Sequence, residues 1–285
     1  MNKKRRFGSG HILWVVMLVC TLIATLIPLY ILIRYAISDK ASWVTGGRYP
    51  VPIWPFAPTS ENLLYYLSDK RFWGNALMSL RIAGITVGIS TILGVPAAYA
   101  FTRFKFPLVG VMMFSLISIR MIPDVAAAIP AAKVFAESLL VHLPTEGKVA
   151  IAHSLFGLPY MIFVVQGIFE TIPKDIDEQA YILGASKTYT FTRIVAPLVV
   201  PGIAASAIYV FILSWNEFLY AYFITSTSSV SSIPLAVYMK NLFGISSPSH
   251  VQLSCISLIV SAPVLITTFF IQKYIVAGAT EGAVK

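Results

Sequence analysis

The chain has 285 residues, of which 57% are hydrophobic and only 12% are charged, and its formal net charge is +9. Soluble domains carry about a quarter charged residues, so this composition excludes an ordinary water-soluble protein. The apolar residues form long runs without the alternation of an outer-membrane barrel strand, which predicts helical membrane spans. The cations lie around these runs rather than in a nucleic-acid-binding patch, so no nucleic-acid partner is predicted.

Six apolar segments approach or exceed the roughly 20 residues that a spanning helix needs. They predict an all-α, polytopic protein of the cell (inner) membrane, surrounded by membrane lipid. The loops on the N-terminal side hold more Lys and Arg than the loops opposite, so both termini are expected in the cytoplasm. The predicted parts are an N-terminus at 1–11, a permease domain at 12–276 and a tail at 277–285, with spans at 12–34, 73–100, 107–132, 148–170, 195–225 and 251–276.

The first loop, at 37–72, is rich in proline and aromatic residues. Proline favours an extended segment over a helix, and aromatic rings suit the membrane interface. Residues 60–68 are predicted to form a short interfacial helix capped by Ser60. The later outside loop, at 226–250, is rich in serine and is expected to be irregular.

The third span contains two charged residues, Arg120 and Asp124, on either side of Pro123. Their spacing of four allows them to pair, although proline distorts the helix between them. A charge at the centre of a span costs about 2.5–3.5 kcal/mol and therefore usually faces protein or water. Both residues are candidates for a translocation path.

The most informative segment is the inside loop at 171–194, between the fourth and fifth spans. Pro173 suits the first turn of a helix, and Gly184 is typical of the left-handed residue after a helix, so a helix over 173–183 is predicted. Three acids crowd its first turn and complement the positive end of the helix dipole: Asp175, Asp177 and Glu178.

This helix either docks onto a protein partner or lies on lipid head groups. Ala180 and Gly184 are four residues apart, which places two small residues on one face and lets another chain approach closely. Its acids would be repelled by an anionic leaflet. A partner with basic residues is therefore the favoured interpretation.

The fifth span carries a polar motif, Trp215–Asn216–Glu217. An aromatic platform beside hydrogen-bonding groups is typical of carbohydrate recognition. Polar residues in spans also hold helices together, and that interpretation is favoured. The three residues nevertheless remain candidates for the translocation path.

The inside loop resembles the EAA coupling loop of ABC importer permeases, whose helix inserts into a cleft on the nucleotide-binding subunit. Gln179 replaces the usual second residue of the motif, and Ala196 replaces a common leucine. The resemblance implies that the 173–187 helix acts as a lever coupled to the ATPase. The residues to which it assigns that coupling are Glu178, Ala180, Gly184, Ala185, Ile194 and Pro197.

Other segments look like the MalG-type carbohydrate branch of that family, namely 120–123, 215–221 and the tail from Ile275. The resemblance implies a MetI-like permease fold and a sugar or oligosaccharide cargo. It also implies a homologous second permease, two ABC ATPase subunits and an extracytoplasmic solute-binding protein as partners.

No ATPase site of its own is predicted, because the chain lacks the Walker A pattern. No catalytic set, metal site or cofactor is predicted either, since the four histidines are scattered and the two cysteines lie in predicted spans as apolar fillers. The alternatives are an ABC permease for a non-sugar solute and a gradient-driven secondary transporter. The second is disfavoured by the absence of a visible repeat and by the acidic docking loop.

Overall fold

A computed structural model describes residues 9–38, 58–104, 107–226, 233–245 and 250–281. Within these ranges the chain is helical and contains no strand, so the all-α prediction is confirmed. The helices are α1 (Ser9–Ala36), α2 (Glu61–Ser68), α3 (Lys70–Arg103), α4 (Val109–Met121), α5 (Asp124–Glu137), α6 (Thr145–Thr171), α7 (Asp175–Ile182), α8 (Lys187–Leu198), α9 (Val200–Asn216), α10 (Leu219–Ser226), α11 (Leu235–Ile245) and α12 (His250–Glu281).

Four of these helices are individually long and apolar enough to cross a membrane: α1, α3, α6 and α12. Two bent pairs pass the same criterion, α4 with α5 at 100° and α8 with α9 at 77°. The described helices therefore provide the six predicted spans when each bent pair counts as one.

The third span is not the continuous helix expected over 107–132. It breaks between α4 and α5, where Ile122 has extended backbone angles and Pro123 follows with φ −58° and ψ 130°. A residue before proline is driven out of the helical region by the proline ring, which explains the break. The fifth span, expected over 195–225, is likewise divided, first at Val199 and again at Glu217.

The loops differ from expectation in two places. Ser60 precedes α2 but makes no side-chain cap; instead the hydroxyl of Thr59 accepts the amide of Glu61 at 3.1 Å. The loop at 226–250 contains α11, whose first amide, of Leu235, donates to Ser79 Oγ at 2.7 Å. The basic N-terminus and most of the proline-rich segment lie outside the described residues.

The chain forms two compact units. The first comprises residues 1–69 and 242–262. In it, Asn62 on α2 donates to the carbonyl of Ser38 at 2.6 Å, which ties α2 to the end of α1. Cys255 is buried there and donates to the carbonyl of Ala36 at 3.4 Å, whereas Cys20 is exposed on α1.

The second unit comprises residues 70–241 and 263–285 and contains helices α3 to α10. Its centre is the packing of α3, α6 and α9. At Gly157 a Cβ atom would lie 2.7 Å from Ser90 Oγ and 2.8 Å from Val210 Cγ1, so these three helices meet at a position where only a hydrogen fits. The close approach fixes their rotation and brings buried polar residues together.

Candidate functional site

The helix predicted in the loop between α6 and α8 is present as α7. α7 begins at Asp175, two residues after Pro173, and ends at Ile182, followed by Gly184 with φ +84°. The amide of Ala185 donates to the carbonyl of Ala180 at 2.9 Å, and that of Gly184 to Tyr181 at 3.0 Å. This pair of hydrogen bonds is the Schellman motif, and it confirms the left-handed conformation predicted for Gly184.

The chain turns directly from this motif into α8. The hydroxyl of Ser186 accepts the amide of Tyr189 at 3.2 Å and caps the new helix. A π-helical stretch, Thr190–Val195, then precedes Pro197, whose missing N–H interrupts the helical hydrogen-bond ladder. Ile194 is half-buried and Pro197 is exposed, so both shape the exit from the loop into the fifth span.

A buried ion pair holds α7 to the end of α3. Arg103 Nε lies 2.8 Å from Asp177 Oδ2, with both side chains only 5% exposed, although the N–H is not aligned as a hydrogen bond. Tyr99 donates its hydroxyl to Asp177 Oδ1 at 2.5 Å. A terminal nitrogen of Arg103 also donates to the carbonyl of Ile172 at 3.0 Å. Since both sides of the pair make further hydrogen bonds, α7 is anchored to α3 from its first turn.

The opposite side of α7 is exposed and ends in apolar side chains. Glu178 is exposed in the first turn, while Ile182 and Leu183 are 83% and 87% exposed at the C-terminal end. Ala180 does not share this surface with Gly184, contrary to expectation: it is only 5% exposed and faces its own chain. The physical reason is that the helix ends at Ile182, so the spacing of four no longer fixes a common face.

A second polar cluster lies at the break between α9 and α10. Glu217 accepts the amides of Tyr220 and Ala221 at 3.0 and 3.2 Å and so caps α10. His153 Nε2, on α6, lies 2.9 Å from Glu217 Oε2. His153 Nδ1 lies 2.8 Å from the hydroxyl of Ser214 on α9. The favoured interpretation of Glu217 as a residue that holds helices together therefore agrees with its contacts.

The other candidates for a translocation path do not form one cluster. Arg120 and Asp124 are both exposed and do not form an ion pair with each other, because the break at Pro123 places them on different helices. Arg120 instead lies 4.7 Å from the ring centre of Phe156. Asn216 is exposed and donates to the carbonyl of Ile212, whereas Trp215 is buried and stacks on Phe211 at 5.9 Å.

Sequence reasoning missed four residues of these clusters: Tyr99, Arg103, His153 and Ser214. Asp177 was noted only for the helix dipole. Two buried charges of opposite sign in neighbouring segments would have been a usable signal, because an isolated buried charge is strongly unfavourable. Among the described residues, no group of three His, Cys, Asp or Glu side chains is placed to hold a metal ion.

The chain matches known proteins over most of its length. The model of the family described as "Binding-protein-dependent transport system inner membrane component" matches residues 90–280. The trehalose transport system permease protein SugB of Mycobacterium tuberculosis is 29% identical over 81% of this chain and 84% of that protein. The trehalose/maltose transport system permease protein MalG of Thermococcus litoralis is 30% identical over 82% of this chain and 84% of that protein.

The fold also matches a solved structure. A bacterial ABC transporter involved in the import of the acidic polysaccharide alginate aligns with a TM-score of 0.73 and 21% identity. The alignment covers 96% of this chain and 99% of that chain. At this identity the likeness establishes the fold, which is that of an ABC importer permease.

Proposed function

Because this chain belongs to the family of inner-membrane components of binding-protein-dependent transport systems, we propose that it is the permease subunit of an ATP-driven importer whose cargo is a sugar or oligosaccharide. In this proposal it spans the membrane with both termini in the cytoplasm. It pairs with a homologous permease, receives cargo from an extracytoplasmic binding protein and hydrolyses no ATP itself. Two ATPase subunits bind its cytoplasmic face.

One observation carries the proposal: α7 is fixed to the rest of the chain on one side and exposed on the other. One side is fixed to α3 by the buried pair of Arg103 and Asp177. On the other side, the exposed side chains of Glu178, Ile182 and Leu183 are accessible to a partner protein. A helix held rigidly on one side and exposed on the other is able to pass a displacement from a docked partner to the membrane helices.

The ion pair of Arg103 and Asp177 would transmit such a displacement from α7 to α3. Arg103 is the last residue of α3, and Tyr99 lies one turn earlier on the same helix. Both contact Asp177, so a movement of α7 acts directly on the end of a long membrane-spanning helix. Gly184 and Ala185 complete the turn, and Ile194 and Pro197 direct the chain into the fifth span. We assign these residues to coupling, with Glu178 as the charged contact to the ATPase.

The cargo class rests on the relatives, whose names specify trehalose and maltose. Arg120, Asp124, Trp215, Asn216 and Glu217 are proposed to lie along or beside the path. The alternative cargo is a solute other than a sugar. Uptake measurements on the same reconstituted importer, with labelled sugars and with non-sugar solutes, distinguish the two cargo classes.

The test is to purify the tagged chain from its native membranes in mild detergent, identify the proteins that accompany it and measure ATPase activity. We expect a second permease and an ATPase in the wild-type preparation. Gly184→Asp should insert normally into the membrane but lose the ATPase activity, because it introduces a side chain and a charge at the turn. Thr188→Asp, which adds the same charge at an exposed position four residues later, is the matched control.

Two outcomes would overturn the proposal. Recovery of the chain alone, stable and without ATPase activity, would favour a gradient-driven secondary transporter. Normal uptake by Gly184→Asp at normal abundance would refute the coupling role of the loop.

A further inference from the structure

The first backbone amides of α10 need hydrogen-bond acceptors from outside that helix. This helix has only eight residues and begins near the end of the fifth predicted span, immediately after the non-helical residues Glu217 and Phe218. The first amides of a helix have no partner within it. Where no water reaches them, each unsatisfied group costs several kcal/mol. Glu217 meets this requirement by accepting the amides of Tyr220 and Ala221.

The carboxylate of Glu217 is itself only slightly exposed. Its side chain is 14% exposed, and a carboxylate in such surroundings is costly unless it is paired. Among the described residues, His153 is the group within ion-pair distance, at 2.9 Å, and its side chain is 2% exposed. The cap on α10 thus depends on a residue of another helix, α6.

The remaining contacts of His153 connect it to three helices. Nε2 lies 2.9 Å from Glu217 Oε2, although the two groups are not aligned as a hydrogen bond. Nδ1 lies 2.8 Å from the hydroxyl of Ser214 on α9. Ser214 in turn donates to Thr86 Oγ1 at 3.3 Å, and Thr86 donates to the carbonyl of Ile82 at 2.9 Å within α3. The imidazole is therefore held from α9 and α3 while it contacts Glu217.

Other charged and titratable groups approach from the neighbouring helices. Asp124 on α5 and Arg120 on α4 act electrostatically on the hydroxyl of Tyr220, as does Glu217. Tyr220 is buried and packs on Phe156 with ring centres 5.0 Å apart. These groups surround the start of α10, but none of the other charges is within 4 Å of Glu217 or His153.

We propose that His153 is a positioning residue that holds the carboxylate of Glu217 in place as the cap of α10, and thereby fixes the break in the fifth span. His153 contacts Ser214 before the break and Glu217 within it, so it links the end of α9 to the start of α10. The consequence for transport rests on the proposed function: a fifth span with a fixed break moves as one body when α7 is displaced.

The structural test is hydrogen–deuterium exchange of peptides covering residues 217–226, measured by mass spectrometry on the complex purified from native membranes. His153→Gln removes the imidazole that contacts Glu217, and Glu217→Gln removes the carboxylate. Either variant should accelerate exchange of the Tyr220 and Ala221 amides by about 10-fold to 100-fold, the ratio that corresponds to losing a charge-assisted hydrogen bond. The double variant should exchange no faster than the faster single variant, since the two residues act as a unit.

The matched control is Ser154→Ala. Ser154 is the next residue on α6 and is also buried, and its hydroxyl donates to the carbonyl of Ala150 at 2.8 Å within the same helix. This variant should leave exchange in 217–226 unchanged. Exchange in α6 itself serves as the check that each variant is folded.

Comparison of the single and double variants separates a cap that depends on the pair from two independent contacts. If His153 acts only through Glu217, His153→Gln should have no further effect on exchange in 217–226 once Glu217→Gln is present.

Wild-type exchange rates in both folded variants would overturn the proposal, as would a double variant that exchanges much faster than either single variant. Because exchange reports on α10 directly, these outcomes are independent of whether the chain is an importer subunit. Failure of the importer proposal would appear instead as recovery of the chain alone, stable and without ATPase activity.

Discussion

Arg103 and Asp177 form a buried ion pair between the last residue of α3 and the first turn of α7, with Nε and Oδ2 2.8 Å apart. Tyr99 shares the carboxylate through its hydroxyl. The pair joins the loop that resembles a coupling loop to a membrane-spanning helix. It therefore provides the mechanical connection that the proposed function needs.

Asp177→Asn should strongly destabilise this connection. Removing one partner of a buried pair leaves the other charge uncompensated, at a typical cost of about 3–5 kcal/mol. We expect a lower midpoint of thermal unfolding in detergent and loss of ATPase activity in the complex. Asp175→Asn, which changes an exposed acid in the same turn, should leave both unchanged. Equal midpoints for the two variants would contradict the role of the pair.

Leu183→Ser should weaken docking of the ATPase without affecting the chain itself. Leu183 is 87% exposed, so little of its side chain contacts the rest of this chain. A partner that buries it would lose apolar contact area on substitution, whereas the isolated chain would lose almost none. The measurement is the amount of ATPase that co-purifies. Leu64→Ser, which alters a 58% exposed leucine on α2, is the control, and equal recovery from both variants would refute the docking surface.

Comparison of Gly184→Ala with Gly184→Asn should isolate the effect of the left-handed backbone conformation at position 184. A Cβ atom at Gly184 would meet nothing within 4 Å, so the penalty comes from φ +84° alone. Alanine in this region costs about 1–2 kcal/mol, while asparagine visits it more readily. We expect faster amide exchange at Gly184 and Ala185 in the alanine variant than in the asparagine variant. The reverse order would exclude the backbone explanation.

Gly157→Ala should disrupt the packing of α3, α6 and α9. Its Cβ would stand 2.7 Å from Ser90 Oγ and 2.8 Å from Val210 Cγ1, and overpacking of this kind costs about 1–3 kcal/mol. Gly167→Ala lies on the same helix with nothing within 4 Å and should be neutral or stabilising by about 0.5–1 kcal/mol. Thermal unfolding of the two variants in the same detergent gives the comparison.

The resemblance to the MalG-type branch carried the family assignment, and the match over residues 90–280 agrees with it. The helix at 173–183 was predicted nearly to its observed bounds, because proline and glycine act through their own backbone angles. The break at Pro123 was anticipated only as a distortion. Its size, a 100° bend, depends on how α4 and α5 pack and is not contained in the local pattern.

By itself the sequence determined the apolar spans, the acidic start of α7 and the left-handed turn at Gly184, since each depends on composition or on neighbouring residues. Only the tertiary structure decided that Arg103 meets Asp177, that His153 meets Glu217 and that Ala180 faces inward. Those contacts join residues far apart in the chain, so they depend on the rotation and close approach of helices. These are set by packing at positions such as Gly157, and no local pattern specifies which polar residues will face one another.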